Sequence, residues 1–224
     1  MPDDLSSIEF DRDGAVAEAQ RGLEQLAREP VTRGSLLKRV GLAGGAAMAA
    51  SLIPAGIAGA RSGGSKRRDV EILNYALTLE YLEAEFYALA VSHGGGFSRR
   101  ARFFAEVVAS HEATHVAALK SVLGGKAVAK PAFDFKRTTR HESTFLKTAQ
   151  ILEDTGVMAY AGQGPRIHQN AVLAPAGAIL AVEARHAAWV RKINGVSPAP
   201  AAFQPAASMS QVLAAVKSTG FIKS

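Results

Sequence analysis

The chain has 224 residues, 48% of them hydrophobic and 21% charged, a formal charge of +6 and no cysteine. That is globular composition, long enough for one well-buried domain with appendages, and it excludes a disordered chain. The missing cysteines exclude disulfides, thiolate ligands and cysteine nucleophiles. The positive charge comes without a nucleic-acid recognition motif and gathers partly at 33–39 and 61–68, so nucleic acid is not expected as a partner.

Residues 1–31 alternate acidic and basic side chains around Ile8, Phe10, Val16, Leu23 and Leu26, a polar extension with at most a short solvated helix and no assigned function. The segment 32–60 opens with Thr32-Arg33-Gly34-Ser35-Leu36-Leu37-Lys38-Arg39. It continues as twenty-one uncharged residues from Val40 to Ala60, rich in Ala and Gly and closing on an A-x-A-like cleavage site, Ala58-Gly59-Ala60. This is similar to a twin-arginine export signal, although Gly34 stands where the second arginine belongs. The resemblance implies the export machinery as a partner and the cell envelope or the extracellular side as destination. Retention as a membrane anchor through 40–60 is the competing reading, since about 20 apolar residues span a bilayer. Many Gly and Ala, with Pro54, make it a weak anchor, and basic residues on both flanks set no orientation. Packing as a buried helix is a third reading, disfavoured because the run has no polar face. Residues 61–68 read as a flexible basic linker, and the domain spans 69–224.

From Asp69 to Ser92, Ile72, Tyr75, Ala76, Leu79, Leu82, Phe86 and Leu89 recur at helical spacing, and His93-Gly94-Gly95-Gly96 stops the helix. Ser98 can cap a second helix carrying Phe103, Phe104, Val107, Val108, Glu112 and His115 to Gly124-Gly125, and the short turn predicts antiparallel neighbours. Residues 125–138 hold Pro131 and no clear period. Extended, they reach up to about 46–50 Å, while a helix of about 25 residues is about 38 Å long, so this connection can cross a whole bundle. Thr139-Arg140-His141-Glu142 reads as a capping box opening a third helix through Phe145, Leu146, Ile151, Leu152, Val157 and Tyr160, ended by Gly162, Gly164 and Pro165. The fourth helix runs to about Asn194-Gly195, with Pro175 in a fresh first turn or at a kink. After the Pro/Ala-rich loop 197–205, Ser208-Met209-Ser210-Gln211 fits another capping box. It opens a short amphipathic helix with Val212, Leu213 and Val216, expected against one end of the bundle.

Glu112-Ala113-Thr114-His115 and Glu183-Ala184-Arg185-His186 repeat one spacing that puts a carboxylate and an imidazole on the same helix face. Chance placement of the chain's 13 Glu and 6 His would give about a third of one such pair, so the context decides. Upstream of each stands Leu-Glu with Tyr seven residues after the Glu: Leu79-Glu80 with Tyr87, and Leu152-Glu153 with Tyr160. Downstream, each pair shares Ala at +1 and +5, a basic residue at +8 and Gly at +12. One helical hairpin is written twice. Four Glu turned inward are strongly unfavourable unless two divalent cations offset them, and carboxylate with imidazole suits iron or manganese. The expected ligands are Glu80, Glu112, His115, Glu153, Glu183 and His186. Glu83, one turn after Glu80, has Gly156 as its counterpart; it stands as an alternative to Glu80, as a seventh ligand, or outside the site. Tyr87 and Tyr160 can donate hydrogen bonds to ligands, act as one-electron donors, or simply pack. His111 points about 100° from Glu112 and is not expected as a ligand. His93, His141 and His168 are expected at the surface and Trp189 in the core.

Leu77-Thr78-Leu79-Glu80-Tyr81-Leu82-Glu83, Leu152-Glu153-Asp154-Thr155-Gly156 and Val182-Glu183-Ala184-Arg185-His186 resemble the ferritin-like superfamily across about 68–220, and within it the bacterial branch related to desiccation-associated proteins. The resemblance implies an all-α, ferritin-like four-helix bundle with a long crossover between helices 2 and 3 and a short C-terminal helix. It implies a dimetal-carboxylate protein, di-iron first and manganese second, oxidising Fe(II) or reducing oxygen or peroxide in the cell envelope. A manganese catalase, and a non-catalytic stress or desiccation-related scaffold with structural metal or none, are the alternatives. A homo-oligomer is compatible with the pattern, and nothing in the sequence shows the hollow shell that iron storage needs.

Overall fold

Ser65 starts the first helix by accepting the Arg68 N–H, and α1 runs Lys66–His93, three residues earlier than the Asp69 start that the apolar period predicts. The computed structural model describes residues 65–223. The polar extension 1–31, the export-signal segment 32–60 and residues 61–64 of the basic linker lie outside the described residues. Asp69 is fully buried and accepts hydrogen bonds from His168 N (2.8 Å), Gln169 N (2.9 Å) and Gln169 Nε2 (3.0 Å), which ties the start of α1 to the entry of the fourth helix.

Gly94 caps α1, and α2 runs Arg99–Leu123 behind Ser98, whose hydroxyl accepts the Ala101 N–H. α3 spans Glu142–Gln163, α4 Asn170–Ile193 and α5 Met209–Thr219. The described residues form helices with no named strand, as an all-α bundle requires, and α1 packs closely on α2 and α3 on α4. The crossover leaves α2 through a 3-10 turn at Gly124–Lys126, and Asn74 near the start of α1 holds Lys126 O and Val128 N. It ends with Thr139 Oγ1 3.0 Å from His93 Nδ1 at the other end of α1. It therefore travels the length of the helix. Phe133 and Phe135 bury midway, and Phe133 bridges to Ile222 of the C-terminal segment.

Two local expectations fail for tertiary reasons. The Thr139–Glu142 capping box does not form: His141 is the N-cap of α3 and makes no side-chain cap bond. Glu142 instead reaches across to Ser98, accepting its N–H at 2.5 Å and its hydroxyl at 2.8 Å, so a residue read as closing its own helix secures the start of α2. Pro175 does not open a fresh first turn, because α4 begins at Asn170 and carries it inside the helix. The Ser208–Gln211 box is present, and Val212 and Val216 bury. Phe103 and Ile151, named among the periodic apolar positions, face solvent at 58% and 60% exposure.

A strap ahead of α5 lies on α3, with Ala207 N donating to Met158 O at 3.1 Å. A Cβ at Gly162 would stand 1.9 Å from Ala207 O, whereas one at Gly177 in α4 would meet nothing within 4 Å. Opposite signs are expected from one chemical change. Gly162→Ala should destabilise by about 2–3 kcal/mol as the strap is pushed off, and Gly177→Ala should stabilise by about 0.5–1 kcal/mol, both read as midpoints of urea unfolding.

Candidate metal centre

The four bundle helices bring the repeated residues to one dry point. Glu80, Glu112, Glu153 and Glu183 are fully buried, with His186 2%, Glu83 4% and His115 8% exposed. His115 Nδ1 lies 3.2 Å from Glu80 Oε2, 3.2 Å from Glu112 Oε2 and 3.1 Å from Glu183 Oε1. A ring nitrogen carries at most one proton and cannot donate to three carboxylates at once. Three oxygens and a nitrogen at this mutual spacing are what a cation with bonds of about 2.0–2.2 Å would hold at neighbouring positions.

The second half repeats the first. His186 Nδ1 lies 3.1 Å from Glu112 Oε1, 3.4 Å from Glu153 Oε2 and 4.0 Å from Glu183 Oε2. Glu112 and Glu183 therefore divide their oxygens, one toward each histidine. The donors fall into two groups, Glu80, Glu112, His115 and Glu183, and Glu112, Glu153, Glu183 and His186, each with its ligand atoms within 4.8 Å of one another. Two shared carboxylates, two terminal ones and two imidazoles make a site for a pair of ions. Glu112 Oε1, Glu153 Oε2, both oxygens of Glu183 and His186 Nδ1 are sealed from solvent without a hydrogen bond. Buried polar atoms in that state are costly, and two cations would satisfy all five, so the residues fit a metal pair.

Burial first, then the Glu112 charge, raises the Glu80 carboxyl to about 8. Burial followed by neighbouring carboxylates pushes Glu183 and Glu83 well above the usual range. Burial also raises Glu153, against the pull of His186. Glu112 goes the other way, to about 2, because His115 and His186 flank it and outweigh its burial. Burial opposes charge on both imidazoles, yet the surrounding carboxylates hold His115 up at about 12 and His186 at about 10.

The tyrosines brace the terminal carboxylates crosswise. Tyr87 on α1 donates to Glu153 Oε1 on α3, and Tyr160 on α3 donates to Glu80 Oε1 on α1 at 2.5 Å. Each therefore occupies the oxygen turned away from the histidine and leaves the other for an ion. Glu80 is the α1 carboxylate inside a donor group. Glu83 belongs to neither group and lies against Gly156. His111 is exposed and outside both groups, but its Nδ1 is 2.9 Å from His186 Nε2 with the rings stacked, a contact that spacing alone does not reveal. His93, His141 and His168 are exposed, and Trp189 is half-buried beside Phe104.

A family model described as a ferritin-like domain matches residues 68–196. No curated protein matches the chain.

The titrations give the metal-free protein an unusual pH profile. Glu80, Glu83, Glu153 and Glu183 bind protons more tightly folded than unfolded, so their contribution is present below about 4.5 and is lost as pH rises through their folded values. His115 and His186 lose their contribution as pH rises above about 6.5; Glu112 favours the fold as pH rises between about 2 and 4.5, Asp69 and Asp134 do so in the acid range, and His111, lowered by burial, opposes the trend as pH rises toward 6.5. Metal-free protein should therefore melt higher at pH 5 than at pH 8, by about 2 kcal/mol or more, or about 4–8 °C. Saturating divalent metal should reverse the trend, because the bound ligands are deprotonated. Paired thermal melts across this range check both signs.

Proposed function

We propose, from the premise that this chain belongs to the ferritin-like domain family, that its buried centre holds two iron ions and couples Fe(II) oxidation to reduction of peroxide or oxygen. The observation that carries the reading is the division of Glu112 and Glu183 between the two histidines, which gives each ion its own imidazole and terminal carboxylate and makes two carboxylates common. Oxygen and nitrogen donors suit iron and manganese alike, and membership of the ferritin-like domain family favours iron.

When bound, an iron pair supplies two electrons, one from each Fe(II), enough to take hydrogen peroxide with two protons to two waters. The chain's own residues do the rest. Glu112 and Glu183 would be the residues common to both ions, and Tyr87 and Tyr160 fix the outer oxygens of Glu153 and Glu80. Both phenols touch ligands, which puts them within reach as one-electron donors as well as braces. The bundle keeps bulk water from Glu80, Glu112, Glu153 and Glu183. The signal-like run at 32–60 supports a place in the cell envelope, and the phrasing Leu77–Glu83 supports the desiccation-associated branch.

The test begins with elemental analysis of the full chain beside the Glu112→Ala/Glu183→Ala double variant. The wild type should carry about two ions and the variant almost none. Anaerobic loading with Fe(II), then addition of oxygen or peroxide, should give oxidation by the wild type alone. Tyr87→Phe and Tyr160→Phe should keep both ions while slowing oxidation by about tenfold, one power of ten in rate for about 1.4 kcal/mol. A protein that holds two ions and never turns over would lose the enzymatic reading and keep a structural metal pair. Peroxide disproportionation by manganese-loaded protein without iron would move the assignment to a catalase.

A further inference from the structure

The folded part of the chain hides its acids and shows its bases. Residues 65–223 carry nineteen Lys and Arg, and none of these is buried. Of the twelve Asp and Glu in the same stretch, six are buried: Asp69, bonded to the entry of α4, and the five glutamates around the centre. The surface therefore presents nineteen cationic side chains against six acidic ones, a surplus of thirteen where the residue counts alone give seven. A field of that size draws polyanions to the protein.

The cations gather with an exposed aromatic at one end of the bundle. There α1 ends, α2 and α3 begin and α4 ends, and hydrogen bonds join all four: Ser98 to Glu142, Arg102 Nη2 to Gly94 O (3.2 Å) and Gly95 O (3.0 Å), and Arg100 Nη2 to Ile193 O (3.3 Å). One recess at this end is lined by Arg99, Arg100, Arg102, Phe103 and Glu106, and a second by His93, Lys136, Arg137, Arg140 and His141. The nearby acids are largely committed, Glu142 to Ser98 and Asp134 to Lys136 at 2.7 Å, whereas Arg137 and Arg140 face solvent without an ion-pair partner among the described residues. Phe103 is 58% exposed, the only Phe, Tyr or Trp so placed on the four bundle helices, and its ring stands edge-on to Trp189 with the centroids 5.7 Å apart. An aromatic ring left in water among three arginines has the composition of an interfacial anchor: guanidinium groups reach phosphates while the ring enters the boundary between headgroups and acyl chains.

We propose that this end of the bundle docks on a bilayer containing anionic phospholipid, with headgroup phosphates in the two basic recesses and Phe103 entering the apolar boundary beside them. The aromatic favours lipid over nucleic acid. A duplex exposes phosphates and groove edges in place of an apolar layer that would take up Phe103, and the sequence carries no nucleic-acid recognition motif. None of these residues belongs to the two donor groups of the metal centre, so docking stands or falls apart from the two-ion reading.

Full-length protein is mixed with vesicles of phosphatidylcholine alone, or of phosphatidylcholine with about one-third phosphatidylglycerol, and the bound fraction is read by flotation. The apolar run at 40–60 can add lipid affinity of its own, so the deciding quantity is the ratio of anionic to neutral binding. The wild type should prefer anionic vesicles by at least about thirtyfold, a preference that fades in high salt. Arg137→Gln/Arg140→Gln should lose about thirtyfold of it, about fivefold for each cation removed. Phe103→Ser should weaken binding to anionic vesicles by about fivefold at unchanged charge. Lys120→Gln/Lys126→Gln removes the same charge at the opposite end of α2, more than a Debye length away, and should change the ratio by less than about twofold. Thermal melts should show all three variants folded. No preference for anionic vesicles, or an equal loss in the two charge-matched double variants, would overturn the docking face. Duplex DNA bound by the wild type and released by Arg137→Gln/Arg140→Gln, with vesicles unbound, would overturn it in favour of a nucleic-acid surface.

Discussion

Five glutamates buried around one centre of the bundle are the constraint that the rest of this structure answers to. Isolated, each would cost several kcal/mol or take up a proton, and the chain supplies only two imidazoles against them. The local charge is therefore unbalanced by design of the sequence, and the geometry shows where balance must come from. Oxygens and ring nitrogens converge with too few protons to join them, and five buried atoms are left without partners. Packing of Phe86, Tyr87, Phe97, Phe104 and Phe145 at the C-terminal end of α1 offsets part of this cost, and it makes the centre dry enough for cations to bind strongly.

Topology follows from the same constraint. A single hairpin offers two Glu and one His, half of what a pair of ions needs, and its Glu-x-x-His helix can share a carboxylate only if an equivalent hairpin faces it. The crossover from Lys126 to Thr139 accomplishes that by carrying the chain back along α1, so the second hairpin starts where α1 ends, opposite the end at which the first hairpin starts. The tyrosines show how closely the halves are interlocked. Each hairpin's tyrosine holds the other hairpin's terminal carboxylate, so neither half of the centre is complete without both. Glu142 on Ser98, and Asp69 on the entry of α4, extend the same reciprocity to the helix ends.

What could be read from the sequence was what is local or periodic. Helix existence, the crossover and the six residues of the two donor groups follow from spacings of three, four and seven residues and from a repeat, all carried by the chain itself. What could not be read depends on partners far along the chain. Glu142 has a plausible capping partner three residues away in Thr139, and only the folded bundle brings Ser98, 44 residues distant, into better position. His111 is read from spacing as pointing away from Glu112, yet it contacts His186, 75 residues away, beyond any local rule. Phe103 and Ile151 have the right period and the wrong face, because the apolar stripe of a helix is set by neighbours as well as by spacing.

The departures from the repeat are not scattered. Glu83, matched by Gly156, lies with Oε1 3.4 Å from where a Cβ at 156 would stand. His111, whose counterpart is Val182, contacts His186. Asp154 and Arg191, whose counterparts are Tyr81 and Lys120, form a two-bond ion pair at 2.8 and 2.7 Å that joins α3 to α4 one residue from Glu153. His111 and the ion pair add groups beside His186 and Glu153, while Glu83 stands one turn from Glu80 on α1. Two ions in a strictly repeated centre would be interchangeable. With His111 on His186 and the Asp154–Arg191 ion pair beside Glu153, the two halves of this centre differ in their surroundings although the repeat gives them the same donor types.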